Sequence, residues 1–286
     1  MHTQQRGSAW SIKLVYTLYQ ILGYTFIYYL MYPVTFFYFI FASNVKNALK
    51  IYYSKLGIPF TSTVYYTHLR LFAVCMVDRF ISKVQPNIYH YTYSNYEELN
   101  SLLEEGGILL TSHYGGWAVS SNSAHTQNTL HIVMKEVIQN NIKEIENSLE
   151  QVKKNTKIID LAKGDLTVSI QIANALLENE LVAIMADRVN HEKYALALPF
   201  FGQLANFNKN PFQIAYSSQK NLIILFAVFT QINTYTIIHK KIILDYSIKK
   251  EESIKQAMQE YILLYETVLK EHPNQWFNFY NFWEKK

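Results

Sequence analysis

Residues 108–117 read Ile-Leu-Leu-Thr-Ser-His113-Tyr-Gly115-Gly116-Trp117, an apolar run that stops abruptly at a histidine and two glycines. Imidazole is the side chain best suited to moving a proton near neutral pH. Glycines let a backbone come close to a bound substrate. A second run has the same form, Leu181-Val-Ala-Ile-Met-Ala-Asp187-Arg188. Both read as buried strands ending in polar residues. As parallel neighbours they would place His113 and Asp187 on one sheet edge, where open α/β sheets bind ligands. A carboxylate beside a histidine fixes its tautomer and stabilises the imidazolium formed during proton transfer. A lone histidine after a strand is more often just a satisfied polar residue. The second strand-end carboxylate and the glycines favour a base.

The elements that must position these residues follow from pattern. Residues 61–82 have helical character and carry His68, Arg70, Asp78 and Arg79. Glu97 to Glu105 reads as a helix stopped by Gly106-Gly107. After the strand to His113, residues 116–128 are expected to be helical and Thr129 to Met134 a strand. Residues 138–153 form a charged amphipathic pattern, with Ile142, Ile145, Leu149 and Val152 on its apolar face. A short strand covers Lys157 to Asp160, and Asp165 is placed to cap a helix through Leu177. Beyond Asp187, Leu222 to Gln231 and Thr234 to Leu244 read as strands joined by a tight turn at Asn233. A last helix spans roughly 250–270. Strands alternating with helices imply an α/β domain, with a mixed, mainly parallel sheet flanked by helices and an antiparallel edge.

The N-terminus is of a different kind. Residues 14–45 contain no Asp, Glu, Lys or Arg and are rich in Tyr and Phe. About 20 apolar residues cross a bilayer. Pro33 interrupts the run, and tyrosines favour the headgroup level. The segment is thus either one tilted span or a broken helix pair in a single leaflet. It is too long for a signal-peptide core and lacks a small-residue cleavage site, so a retained anchor over residues 1–48 is expected. Arg6 and Lys13 precede it; Lys46, Lys50 and Lys55 follow. The asymmetry favours a cytoplasmic body slightly.

Composition narrows the classes. The chain has 286 residues, 50% hydrophobic and 17% charged, with a net charge of +4. The mild basicity suits a membrane surface or an acidic partner, and no nucleic-acid signature accompanies it. Cys75, the single cysteine, excludes an intramolecular disulfide framework. No Gly-x-Ser-x-Gly elbow, P-loop or dinucleotide fingerprint is present. The remaining histidines are scattered without zinc spacing. A histidine base acting directly on a substrate hydroxyl is what remains, with no metal or organic cofactor required.

Several stretches in order resemble one family. They are His68 with Phe72-Ala73 and Asp78-Arg79, Thr111-Ser-His113-Tyr-Gly-Gly, Ala186-Asp187-Arg188, Leu198-Pro-Phe-Phe201-Gly202 with Ala205-Asn-Phe207 and Pro211-Phe212, and His272-Pro-Asn-Gln-Trp276 with Trp283. The chain resembles the bacterial late acyltransferases of lipid A biosynthesis and their lysophospholipid acyltransferase relatives. It is closest in character to the branch found with polyene-lipid and glycosyltransferase functions. The resemblance implies a glycerolipid-acyltransferase-like domain over residues 49–286, on the cytoplasmic face of the bacterial inner membrane. It implies an acyl thioester donor, on acyl carrier protein or coenzyme A, and a membrane lipid or glycolipid acceptor. His113 would be the base, Asp187 its orienting acid, and Arg188 or the Gly115 and Gly116 N–H groups the oxyanion donors. Trp117, Lys135, Phe201, Gly202 and Phe207 would bind substrate, with Phe200 and Phe212 as further candidates for an acyl channel. Lys143, Lys153 and Lys154 offer a basic face to an acidic carrier.

Two departures stand out. The family usually carries Asp or Glu five residues after the histidine, where this chain has Ala118. The acid role then falls to Asp187, or the protein is a catalytically silent binder of lipid or acyl chains. The family's glycine before Pro211 is Asn210, another residue that tolerates a left-handed backbone.

Overall fold

The computed structural model describes residues 9–123, 126–135, 155–189 and 191–284. Three helices open the chain: α1 (Ala9–Phe41), α2 (Ser43–Lys55) and α3 (Ser62–Val84). There follow β1 (His90–Tyr93), α4 (Tyr96–Glu105), β2 (Gly107–Thr111), β3 (Leu130–Met134), β4 (Thr156–Asp160), α5 (Asp165–Leu177) and β5 (Leu181–Met185). A hairpin, β6 (Ala195–Phe200) and β7 (Gln203–Asn208), leads to α6 (Asn210–Ser218), β8 (Leu222–Gln231), β9 (Thr234–Ile242) and α7 (Lys250–Glu271).

The main sheet has the order β1-β9-β8-β2-β5-β3-β4. Every pairing in it is parallel except β8 with β9. The molecule is therefore the α/β type read from the alternation of strands and helices. Both faces are covered, because β2 and β5 are apolar at successive positions rather than at alternate ones. On one face Ile108, Leu110, Val182, Ile184 and Phe226 pack under α5, α6 and α7. On the other, Leu109, Leu181, Ile223 and Leu225 pack under α1, α3 and α4. The final helix, α7, shows how sequence dictates this: Ile254, Met258, Tyr261, Tyr265 and Leu269 recur at three- and four-residue spacing and are all buried.

Four local expectations need correction. Within residues 116–128 the described part is a series of turns with one 3-10 turn, Ser120–Asn122, and not an α-helix. Ser120, Ser121 and Ser123 each return a hydroxyl to a carbonyl three residues back, which competes with helical pairing. Helix α1 runs through Pro33 and breaks instead at Gly23. Asp165 is the first residue of α5 and pairs with Lys193 at 2.8 Å; the cap position is Gly164. Asn210 opens α6 without a positive φ. Strand β1, the β6–β7 hairpin and α6 lie where no element was expected. The line between residues 48 and 49 passes through the middle of α2, whose Leu49, Tyr52 and Tyr53 belong to the core. The amphipathic pattern of residues 138–153, with its lysines, lies outside the described residues.

Candidate active site

Strands β2 and β5 are paired in parallel with Thr111 opposite Met185. Two residues further on, both chains have left the sheet, and His113 meets Asp187. The His113 Nδ1 lies 3.0 and 3.1 Å from the two carboxylate oxygens, and the His113 backbone N–H donates to Oδ2 at 3.1 Å. Asp187 is fully buried, while the His113 side chain is 27% exposed. With Nδ1–H donating to the carboxylate, Nε2 carries the lone pair and is the ring nitrogen left to accept a proton. Burial pushes the Asp187 carboxyl up. The facing imidazole, its hydrogen bonds and the Arg188 charge outweigh that and hold it below the usual carboxylate range.

A cavity of about 1010 Å³ opens on this pair. His113, Arg188, Trp117, Ala118 and Lys135 are all on its wall. Its floor includes Leu109, Thr111, Leu130, Ile132, Ala183 and Met185 from β2, β3 and β5. These are alternate positions on three adjacent strands, so they form an apolar track on one sheet face, running back from the histidine. Arg79 of α3 closes another side and lies over the Trp117 ring at 5.7 Å. Among the described residues, no three His, Cys, Asp or Glu side chains gather as metal ligands.

The C-terminal segment pins this site, a role not legible in the motif His272-Pro-Asn-Gln-Trp276. Phe277 N–H donates to the His113 carbonyl at 2.8 Å, and Gly115 N–H donates to the Gln275 carbonyl at 2.9 Å. The Gln275 side chain bonds both the N–H and the carbonyl of Phe229 on β8, each at 2.8 Å. Arg188 Nη2 reaches the Phe277 carbonyl at 2.9 Å, and the guanidinium lies 5.5 Å over Tyr280. One extended strap thereby fixes the ends of β2, β5 and β8 together. Arg188 is held by the strap rather than by direct pairing with the neighbouring Asp187.

The remaining expected residues sit elsewhere. Gly115 and Gly116 face the protein interior. Gly115 has φ +56, and a Cβ there would lie 2.1 Å from the Ala227 carbonyl oxygen. At Gly116 a Cβ would lie 2.2 Å from the Tyr235 ring. Their N–H groups are already bonded, to Gln275 and Ala227 respectively, so neither is free to hold an oxyanion. These glycines permit close packing of the histidine loop on β8 and β9. Phe201 and Gly202 are the two turn residues of the β6–β7 hairpin, with φ +47 and +76, as a two-residue hairpin turn requires. Phe207 is fully buried against Phe200, Tyr261 and Phe282, and Phe200 and Phe212 are equally buried. These aromatic rings are core, not channel.

No individually curated protein matches this sequence. A family model described as bacterial lipid A biosynthesis acyltransferase matches residues 72–285, which takes in both strand-end motifs, the hairpin and the strap. The match covers well over half of the chain, and the protein belongs to the bacterial lipid A biosynthesis acyltransferase family.

Proposed function

We propose that the protein transfers a fatty acyl chain from a thioester, carried by acyl carrier protein, to a hydroxyl of a lipid or glycolipid. The observation that carries this reading is His113 oriented by a buried carboxylate on the wall of a cavity with an apolar floor. An alcohol is far too weakly acidic to ionise beforehand, so proton transfer accompanies attack. The acceptor oxygen attacks the thioester carbonyl as His113 Nε2 takes its proton. The carbon–sulfur bond then breaks, and the imidazolium returns the proton to the leaving thiolate. Asp187 holds the Nδ1–H tautomer and offsets the charge that develops on the ring.

With the Gly115 and Gly116 N–H groups spent, Arg188 is the donor for the oxyanion. One of its N–H groups goes to Phe277, and its buried Nε has no partner among the described residues. The acyl chain lies on the track formed by Met185, Ala183, Ile132 and Leu109. Trp117 and Lys135 border the entrance taken by the acceptor or the donor headgroup. Asp187 fills the role that an acid at position 118 would otherwise take, so Ala118 does not leave the base unsupported. The anchor α1 keeps the domain at the inner membrane, on the cytoplasmic side where carrier-bound thioesters are available.

The test is direct: purified protein is given an acyl carrier protein thioester and a bacterial lipid extract, and the lipids are resolved by mass spectrometry. An acylated lipid that forms only with the protein supports the reading and reveals the acceptor. Release of free fatty acid without acyl-lipid would make the protein a thioester hydrolase. Retention of acyl chain without turnover would make it a silent binder.

A further inference from the structure

One side of helix α1 is docked on the body of the protein from Tyr19 to Phe39. Tyr24 donates a hydroxyl to buried Asp78 at 2.7 Å. Tyr28 stacks on Phe229 of β8, and Arg70 of α3 lies over Tyr28 and Tyr32 at 5.2 and 4.5 Å. The Tyr66 hydroxyl donates to the Tyr32 carbonyl at 2.8 Å, Phe39 packs on Tyr65 at 5.3 Å, and Tyr65 donates to the Ala42 carbonyl at 2.9 Å. Tyr19 meets Gln85 at the other end. The partners fall in sequence as α1 rises, so α1 and α3 lie antiparallel. From Tyr24, just after the break at Gly23, to Ala42 the contacts extend along about 27 Å, close to the thickness of a hydrocarbon core, about 30 Å.

A helix so held cannot cross a bilayer without carrying α3 in with it. Helix α3 bears Arg70, Asp78, Arg79 and Lys83, and charged groups are costly in hydrocarbon. Detaching α1 would instead remove a hydroxyl donor from Asp78 and bare Ile27, Met31 and Thr35, all nearly inaccessible. Those three sit four residues apart on the docked side. Beyond the break at Gly23, the opposite side is a second stripe: Phe26, Tyr29, Phe36, Phe37 and Ile40 are between 41% and 64% exposed. At 100° per residue these five fall within about 100° of arc, and Val34, Tyr38 and Phe41 carry exposed apolar surface further round the C-terminal end. The stripe lies within a run free of charged residues, and Lys13 before it and Lys46 and Lys50 after it are exposed. The stripe thus offers apolar area to a leaflet, with cations at either end placed for anionic headgroups.

We infer that α1 lies flat in one leaflet, with α3 above it and the Phe26–Ile40 stripe inserted, so that the protein is monotopic. The inference rests on the membrane-anchoring reading and goes further by fixing its mode. Because α3 also carries Arg79 to the cavity wall, the site then opens beside the leaflet that holds its lipid acceptor.

The test uses the full chain with Cys75→Ala as background. Lys13→Cys and Lys50→Cys are each labelled with a membrane-impermeant maleimide in sealed spheroplasts and in inverted membrane vesicles. Nitroxides at Leu22→Cys, Tyr29→Cys and Ile40→Cys report depth, by oxygen against nickel-chelate collisions in phosphatidylethanolamine–phosphatidylglycerol vesicles. A flat helix labels at both ends from the same side and shows similar, shallow depth at all three sites. Labelling from opposite sides, or a depth that peaks at residue 29 and falls at 22 and 40, means that α1 spans; the inference is then wrong and the anchor stands. A chain that stays in the soluble fraction, with no oxygen preference at any site, overturns both.

Discussion

His68 and His113 are both bound through Nδ1, and they are opposites. His68 is fully buried, takes a hydrogen bond from the Tyr53 hydroxyl at Nδ1 (3.0 Å), and meets the Trp276 carbonyl at Nε2 (2.9 Å). Burial pushes it down to about 3, so it stays neutral and both nitrogens are spent. His113 has a carboxylate on Nδ1 and an open cavity in front of Nε2. The buried carboxylates divide in the same way. Asp187 faces an imidazole and a guanidinium and is held low. Asp78 is equally buried, its hydrogen-bond partners among the described residues are the phenols of Tyr24, Tyr89 and Tyr235, and burial pushes it up to about 6. Burial alone therefore does not make a site. What distinguishes the strand-end pair is a charge-compensating partner on one side and free space on the other.

The contrast can be broken by substitution. Asp187→Asn should keep the fold but lose the correct tautomer, lowering the acyl-transfer rate by about 10²–10⁴; steady-state kinetics with a carrier-protein thioester would show it. His68→Phe should do the reverse. Leaving the Tyr53 hydroxyl and the Trp276 carbonyl unpaired should cost about 2–5 kcal/mol in urea unfolding, with turnover per folded molecule near that of the parent.

The pH dependence sharpens the comparison. Asp78 binds its proton more tightly folded than unfolded, so it makes stability fall as pH rises from about 4 to about 6. That contribution is on the order of 3 kcal/mol. Asp78→Asn should flatten this slope in unfolding curves measured across the window. His68 acts in the opposite sense, because the unfolded chain gains its proton below pH 6.5 and the folded chain only near 3. The smallest effect is expected at Gly116→Ala. Its new methyl must push the Tyr235 ring aside, costing about 1–3 kcal/mol and shifting the His113 loop. A calorimetric Tm and a kcat measured together would register both.

Much of the site was legible because it depends on strand ends. An apolar run that stops at His113 and another at Asp187 need only parallel pairing in register to meet, and β2 and β5 supply it. Ala118 left two readings open, Asp187 as the acid or a silent binder, and the His113–Asp187 contact favours the first. The glycines were found but misassigned: whether they yield to a substrate or to a neighbouring strand depends on what packs against them, here Ala227 and Tyr235. Phe200, Phe207 and Phe212 were similarly ambiguous, because core and channel use the same residues. The strap through Gln275 and Phe277 was not legible, because it acts largely through backbone groups that carry no residue signature. The serine-rich stretch after Trp117 contained its own warning against a helix in the local hydroxyl bonds those serines prefer.

The central claim is that His113, held by Asp187, is the base. The most direct measurement is the lipid profile of cells that make the intact chain, no chain, or His113→Ala at an equal folded level. An acylated lipid made with the intact chain should fall to the chain-free level with His113→Ala; the same lipid at full level in the His113→Ala cells would contradict His113 as the base.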